Sequence, residues 1–238
     1  MSKSGATTFN QDLKDNFGNM DLLRRRNMID MLLAALVTEP SENADGNFVD
    51  DITNHLFEQE QSDRVGLDLV SLNIQRGRDH GIPGYIEYRK ICRVGNANSF
   101  NDLRSNISPK NIQLLQRVYE SVEDIDLFVG MSLERPQNSG ALVGDTFLCL
   151  IGDQFARLKL GDRYFYDLKN QSGSFTAGQL NEIRKTSLAR IICDNTDFEE
   201  IQPLVLEMPD QESNPLISCE SKLLFLGIPT MDLSHWRE

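Results

Sequence analysis

Residues 66–85 read GLDLVSLNIQRGRDHGIPGY, and this stretch decides how the rest of the chain is interpreted. Its apolar residues recur at helical spacing, so we predict a helix over residues 67–79. The Gly-Ile-Pro-Gly run at residues 81–84 would end that helix. Asn73 and Arg76 are three residues apart, and residues at this spacing share one face of a helix. The stretch therefore predicts a helix that presents an amide and a guanidinium side by side.

The remaining sequence is dominated by the helical period. Further helices are predicted at residues 20–36, 48–58, 85–92, 111–121, 145–160, 178–184 and 188–193. The apolar side of residues 145–160 predicts the most buried helix, and residues 163–167 predict a brief aromatic strand. After residue 197 the chain is irregular, with one apolar run at residues 223–228. We expect a mainly α-helical fold with little β-structure, in which residues 1–19 form a loose lead-in and residues 20–238 form one region.

The charge balance excludes several kinds of partner. The 238 residues carry a formal net charge of −12, which argues against binding to nucleic acid or to an anionic membrane surface. No apolar run approaches the roughly 18 residues that a membrane-spanning helix needs. Residues 1–19 lack the apolar centre of a secretory signal, so a signal for secretion would have to lie upstream.

The four cysteines leave two interpretations open. Cys92, Cys149, Cys193 and Cys219 form no Cys-x-x-Cys pair, which argues against a structural zinc site. They are either four reduced cysteines in a cytosolic protein or two disulfides formed in an oxidising compartment.

The stretch at residues 66–85 closely resembles the signature of the animal haem peroxidases, the family of myeloperoxidase, peroxidasin and the insect chorion peroxidases. Other blocks resemble the family in the same order along the chain: Ile125-Asp126-Leu127 with Gly130, LCLIGDQF at 148–155, GDRYF at 161–165, RIICDN at 190–195 and SHWR at 234–237. The resemblance extends from about residue 20 to the end. It implies the carboxy-terminal part of the helical peroxidase fold.

The resemblance also implies roles for five residues. In the family, the asparagine matching Asn73 hydrogen-bonds the iron-ligating histidine and orients its imidazole. The arginine matching Arg76 lies against a haem propionate. Phe57, Leu69 and Leu72 match positions that wall the same side of the haem. Taken without the resemblance, these residues would be an interhelical amide, a solvated cation and ordinary core side chains.

The three histidines are not expected to bind iron. In the family pattern the histidine matching His80 closes the helix, and Arg78 and Asp79 beside it make structural ion pairs. His55 and His235 are expected to be surface or capping groups. We therefore expect no iron-ligating residue in this chain.

Other parts of the family's catalytic machinery have no counterpart here. The ligating histidine, the distal histidine and arginine, the calcium-binding loop and the carboxylates that link the haem all precede the matching region. The resemblance implies haem, either b-type or covalently linked, in the complete protein. Calcium is expected only through the amino-terminal half of a peroxidase domain. The chain alone is expected to be inactive, as a truncated product or as a piece that associates with another chain.

The resemblance favours disulfides over free thiols. It implies that Cys92 pairs with Cys149 and that Cys193 pairs with Cys219. The triplets Asn106-Ile107-Ser108 and Asn170-Gln171-Ser172 are candidate N-glycosylation sites, although Pro109 weakens the first. Both features favour an extracellular parent protein.

Three functional hypotheses follow. The first is a haem peroxidase that uses hydrogen peroxide to oxidise phenolic, tyrosyl or halide donors. The second is a non-catalytic extracellular interaction module, or an inactive fragment, derived from the peroxidase fold. The third is an unrelated helical scaffold, which would require the whole signature to be coincidental.

Overall fold

A computed structural model describes residues 10–58, 65–137, 140–221 and 227–237. Over these residues the fold is mainly helical, as expected. Its α-helices are α1 (Met20–Leu23), α2 (Met28–Thr38), α3 (Asp50–Thr53), α4 (Leu69–Asp79), α5 (Tyr85–Ile91), α6 (Pro109–Val118), α7 (Leu127–Leu133), α8 (Asp145–Gly161), α9 (Ala177–Ile183) and α10 (Leu188–Asn195). Two short strands, β1 (Glu200–Ile201) and β2 (Ile217–Ser218), pair antiparallel with Glu200 opposite Ser218.

The chain divides into two compact units, each with its own apolar core. One unit comprises Gln11–Phe17 and Glu42–Lys159, and its core lies around α5 and α6. The other comprises Met1–Asn10, Gly18–Ser41 and Leu160–Glu238, and its core contains side chains of α2, α10 and β1. The core residues of the first unit are Tyr85, Ile86, Ala97, Leu103, Ile107, Ile112, Leu115, Val122 and Ile125.

Helix α4 begins and ends close to the predicted positions. At its start, the Asp68 carboxylate accepts hydrogen bonds from the backbone N–H groups of Val70 (2.9 Å) and Ser71 (3.3 Å). These groups have no partner inside the helix, so the cap stabilises its first turn. At its end, a ring nitrogen of His80 lies 2.9 Å from the backbone oxygen of Arg76. His80 therefore closes the helix, as the resemblance implies.

The predicted helix over residues 20–36 is interrupted. Helix α1 ends at Leu23 and α2 begins at Met28. Asn27 between them has a φ of 58°, in the left-handed region that asparagine tolerates better than most residues. Three consecutive arginines at 24–26 occupy the break, where their like charges lie outside a helix.

Two other local predictions were wrong. The helix expected over residues 48–58 is limited to α3, because the chain then enters an isolated bridge between Leu56 and Leu67. The strand expected over residues 163–167 is a pair of turns. Asp162 explains the first turn, since its carboxylate accepts from the backbone N–H of Tyr164 at 2.8 Å and its carbonyl accepts from that of Phe165 at 3.1 Å. The second turn is closed by the Leu168 backbone N–H, which donates to the Phe165 carbonyl at 2.9 Å. The apolar run at residues 223–228 lies largely outside the described residues.

Helix α8 has the predicted extent but not the predicted burial. Thr146 is its buried residue, whereas Phe155 on its apolar side is 67% exposed and Leu158 is 57% exposed. Its periodicity correctly indicated an amphipathic helix. The apolar stripe, however, has no covering partner among the residues that the structure describes.

Each unit contains one disulfide. Cys92 and Cys149 join the end of α5 to α8, and Cys193 and Cys219 join α10 to the residue after β2. These are the pairs that the resemblance implied. The alternative of four reduced cysteines is wrong for this structure.

Candidate functional site

One face of α4 carries most of the candidate residues. Leu69, Leu72, Asn73 and Arg76 are spaced by three and four residues, so they form one stripe along the helix. Leu69 and Asn73 are half-buried, Leu72 is 44% exposed and Arg76 is exposed. Within the described part of the chain, the Asn73 amide accepts and donates no hydrogen bond and the Arg76 guanidinium has no ion-pair partner. The face is an open apolar surface with one amide and one cation available to a ligand.

The opposite side of α4 is firmly attached to its unit. The Arg78 guanidinium donates two hydrogen bonds to Asp126, from Nε at 2.9 Å and from Nη2 at 2.7 Å. The Tyr119 hydroxyl donates to the same carboxylate at 2.7 Å. A bidentate contact restricts rotation as well as position. This cluster therefore sets the direction in which the Asn73 and Arg76 face points.

The electrostatics of this cluster favour the charged carboxylate. The hydrogen bonds from Arg78 hold the pKa of Asp126 below its ordinary value of 3.8. Burial, together with the hydrogen bond to Asp126, raises the pKa of Tyr119 to about 12. Tyr119 therefore stays a neutral donor at physiological pH, and Asp126 stays an anion between two donors.

The fifth candidate, Phe57, lies near the start of α4 without joining its face. The bridge between Leu56 and Leu67 brings it to the segment that precedes the helix. Its ring is 61% exposed and packs edge-on against Phe17, with 5.4 Å between the ring centroids. Phe57 has a φ of 53°, which turns the chain at this point.

His55 has both ring nitrogens in contact with carboxylates, and His80 has one ring nitrogen in contact with a backbone oxygen. In His55, Nδ1 contacts Glu58 and Nε2 lies 3.1 Å from Asp50. His80 caps α4 as described above. His235 is exposed in a short turn, with its ring against Gly178. Among the described residues, no group of three or more His, Cys, Asp or Glu side chains could hold a metal ion.

A buried polar cluster connects α5 to the start of α8. The Glu134 carboxylate accepts from the Tyr85 hydroxyl at 2.5 Å, from Arg89 Nη1 at 3.1 Å and from the Thr146 backbone N–H at 2.8 Å. Arg89 also donates to the Asn106 side chain at 3.1 Å. Because Glu134 and Arg89 are both buried, the loss of either charge would leave the other unpaired. The cluster is a structural link rather than a ligand site.

Comparison with known proteins identifies the family. The sequence model of the animal haem peroxidases matches residues 2–206. The chain belongs to the animal haem peroxidase family. A "Peroxidase" of Drosophila melanogaster is 38% identical over 225 residues, which is 94% of this chain and 31% of that protein. The "Chorion peroxidase" of the same organism is 36% identical over 231 residues, 95% of this chain and 27% of that protein.

A solved structure of the family agrees with the fold. Peroxidase A of Dictyostelium discoideum aligns with a TM-score of 0.62 at 32% identity, covering 74% of this chain and 33% of that chain. The chain thus spans about a third of the length of each of these three relatives. No helix among the described residues is long and apolar enough to cross a membrane.

The residues of this animal haem peroxidase chain fit one side of a haem. The α4 face offers an apolar surface at Leu72, and Arg76 beside it is a cation available for a propionate. The amide oxygen of Asn73 on the same face accepts no hydrogen bond from any described residue, and it can accept the ring N–H of a metal-bound imidazole. His80, four residues after Arg76, ends the same stripe, with one ring nitrogen 2.9 Å from the Arg76 backbone oxygen. The fit is therefore that of Arg76 to a propionate and of Asn73 to the outer nitrogen of an imidazole.

Sequence reasoning missed three residues that position this face. Asp68 could have been found, because an acidic residue directly before a helical pattern is a capping signal. Asp126 and Tyr119 could not be linked to α4, since Asp126 is 48 residues from Arg78. The ion pair expected of Arg78 is present with Asp126. Asp79 instead accepts a hydrogen bond from Gln75 at 2.8 Å, and no ion pair of Asp79 occurs in the described ranges.

Proposed function

We propose that this chain forms the proximal side of the haem site of a peroxidase. The observation that carries the proposal is the α4 face, on which Asn73 and Arg76 are both free of partners within the described residues. Arg78 and Asp126 fix the helix from the opposite side, at 2.7 and 2.9 Å. The contact with Asp126 holds α4 in one rotation, and the amide and the cation on its open side have no partner in the described ranges. Such a face suits a ligand that carries carboxylates.

Each residue has a distinct role in this proposal. Arg76 binds a haem propionate through its planar guanidinium. Asn73 accepts the N–H of the iron-ligating imidazole, which holds the ring's proton on one nitrogen and leaves the other for the metal. Leu69 and Leu72 exclude water from that side. Bound haem supplies the redox chemistry that couples hydrogen peroxide reduction to oxidation of a phenolic, tyrosyl or halide donor.

The proposal requires groups from elsewhere in the assembled protein. The axial imidazole and the acid–base group that acts on peroxide would be provided by an amino-terminal part of a peroxidase domain, which we propose as the partner of this chain. Without that partner we expect no peroxidase activity. We also propose that the parent protein is extracellular, because two disulfides form most readily in an oxidising compartment.

Haem titration tests the proposal without relying on activity. Haem is added to the protein with free imidazole as the axial ligand, and the Soret band is followed. We expect the unsubstituted 238-residue chain to bind haem saturably. The Arg76→Ala variant should bind about 10- to 100-fold more weakly, because a charge-assisted hydrogen bond contributes about 1.5–3 kcal/mol. Adding Asn73→Ala should abolish the saturable change that the protein causes in the Soret band of haem with imidazole.

The matched control is Gln75→Ala, at the edge of the face on the same helix, where the side chain already has a hydrogen-bond partner. Gln75 is exposed and contacts Asp79, so its loss should leave haem affinity unchanged. Equal binding by the Arg76→Ala/Asn73→Ala and Gln75→Ala variants would contradict the proposed face.

The second candidate function is a non-catalytic extracellular interaction module. The exposed apolar stripe of α8, with Phe155 at 67% exposure, favours it because such surfaces often contact other proteins. A parent chain that is folded and monodisperse but shows no saturable Soret change would support this candidate over the first.

A further inference from the structure

We propose that Asn170 is an attachment site for an N-linked oligosaccharide, and that Asn106 in the second acceptor triplet is not. Both asparagines lie in Asn-x-Ser triplets, and the sequence separates them only through Pro109, which weakens the Asn106 triplet. The structure places them in opposite environments. This inference concerns the surface of the molecule and does not depend on the proposed haem site.

Asn170 projects from a surface turn. It is exposed and has a φ of 62°, a left-handed conformation that a short polar side chain such as asparagine tolerates. Its side chain makes no hydrogen bond with any described residue. An amide with open space around it can carry a bulky, hydrated substituent without the loss of a contact.

The acceptor hydroxyl of the same triplet is equally accessible. Ser172 is exposed and its hydroxyl has no partner among the described residues. The turn is closed on its other side, where Gln171 N–H donates to the Ser174 hydroxyl at 2.9 Å and Ser174 N–H donates to the Gln171 carbonyl at 3.1 Å. The side chains of Asn170 and Ser172 are therefore left free while the backbone between them is held.

Asn106 has none of these properties. It is 6% exposed, and its side-chain oxygen accepts from Arg89 Nη2 at 3.1 Å and from the Ser105 hydroxyl at 2.8 Å. Ser108, the third residue of its triplet, accepts from the Asn111 backbone N–H at 3.2 Å and so caps α6. A glycan on Asn106 would have to displace a buried, charge-assisted hydrogen bond. Chains modified there would not reach this fold.

The chemistry needs one co-reactant, a polyprenyl-pyrophosphate-linked oligosaccharide, and the transferase that uses it in the secretory pathway. The Asn170 amide nitrogen forms a bond to the anomeric carbon of the first sugar, and the bond from that carbon to the pyrophosphate oxygen breaks. The lipid pyrophosphate leaves with the electron pair, and the amide proton is taken up by a base. No oxidation or reduction is involved.

Expression of the full chain in eukaryotic cells behind a secretory signal tests the proposal. The mass of the protein is measured before and after treatment with a peptide-N-glycosidase, which converts a glycosylated asparagine to aspartate. We expect one oligosaccharide per chain, and aspartate only at position 170 in the peptide map. Asn170→Gln and Ser172→Ala should each abolish the mass shift, and Ser172→Thr should retain it.

The matched control removes the other triplet without removing the helix cap. Ser108→Asp keeps a side-chain acceptor at the start of α6 but destroys the second sequon, so this variant should keep its single oligosaccharide. Protein retained inside the cells is analysed in the same way as secreted protein. An unmodified parent chain would overturn the proposal. So would a mass shift that persists in Asn170→Gln and disappears in Ser108→Asp.

Discussion

Two helical glycines show how much a single residue can matter in this fold. A Cβ atom at Gly130 in α7 would lie 2.2 to 2.5 Å from ring atoms of Tyr85, whereas a Cβ at Gly152 in α8 would meet nothing within 4 Å. We expect Gly130→Ala to destabilise the protein by about 1–3 kcal/mol or more, because a fully buried ring cannot move away freely. Gly152→Ala should stabilise it by about 0.5–1 kcal/mol, since alanine favours a helix.

The measurement is the free energy of unfolding in denaturant for both variants and the parent. The two substitutions add the same atom to a helix, so their difference isolates the contact with Tyr85. A Gly130→Ala variant as stable as Gly152→Ala would show that α7 does not pack closely on α5. Gly130 follows the Ile125-Asp126-Leu127 block of the family pattern, and this contact gives a physical reason for a glycine there.

At the scale of helices, the orientation of α4 depends on the ionised form of Asp126. Its pKa is lowered mainly by the hydrogen bonds from Arg78. A carboxyl group whose pKa is lowered in the folded state stabilises the fold at pH values above its pKa in the unfolded chain, which is 3.8. This stabilisation is lost as the pH falls through the lower pKa of the folded state. We therefore expect Asp126→Asn to be less stable than the parent at pH 7 and the difference to shrink below about pH 4.

Thermal unfolding of parent and variant between acidic and neutral pH checks this expectation. The control is Asp153→Asn, which removes an ion pair with Arg157 whose side chains are 58% and 79% exposed. Exposed ion pairs contribute little to folding stability, so the unfolding temperature of Asp153→Asn should equal that of the unsubstituted chain at every pH. A constant stability difference for Asp126→Asn across the whole pH range would show that its charge is not the origin of the effect.

The helices also show what could and could not be predicted from sequence. The extents of α4, α5 and α8 were predicted closely, because apolar periodicity and Gly or Pro boundaries are local signals. The break before Met28 and the first turn after Asp162 depend on single residues, Asn27 and Asp162, that favour non-helical backbone, so the apolar pattern did not reveal them. The exposure of α8 was missed because periodicity predicts that one side avoids water without predicting what covers it. The residues of the α4 face were named from the family resemblance, whereas the contact that orients them joins residues 48 positions apart.

At the scale of the whole molecule, the two disulfides are distributed one to each compact unit. Cys92–Cys149 lies within the unit that contains α4, and Cys193–Cys219 lies within the unit that contains Trp236. The sequence separations are 57 and 26 residues. A disulfide lowers the conformational entropy of the unfolded chain, and the effect grows with the length of the loop that it closes. Both bonds should therefore stabilise their units substantially.

The single tryptophan allows the second disulfide to be tested within its own unit. Trp236 packs edge-on against Phe175, with ring centroids 6.4 Å apart, so its fluorescence reports on the unit that contains Cys193–Cys219. We expect Cys193→Ser/Cys219→Ser to lower the free energy of unfolding in the fluorescence-monitored transition by about 3–4 kcal/mol, from the entropy of closing the loop. For Cys92→Ser/Cys149→Ser, we expect the free energy of unfolding to fall by about 4 kcal/mol, because the loop that this disulfide closes is longer. Unfolding of this variant is monitored by far-ultraviolet circular dichroism. A fluorescence transition unchanged by Cys193→Ser/Cys219→Ser would mean that this bond does not restrain the unit around Trp236.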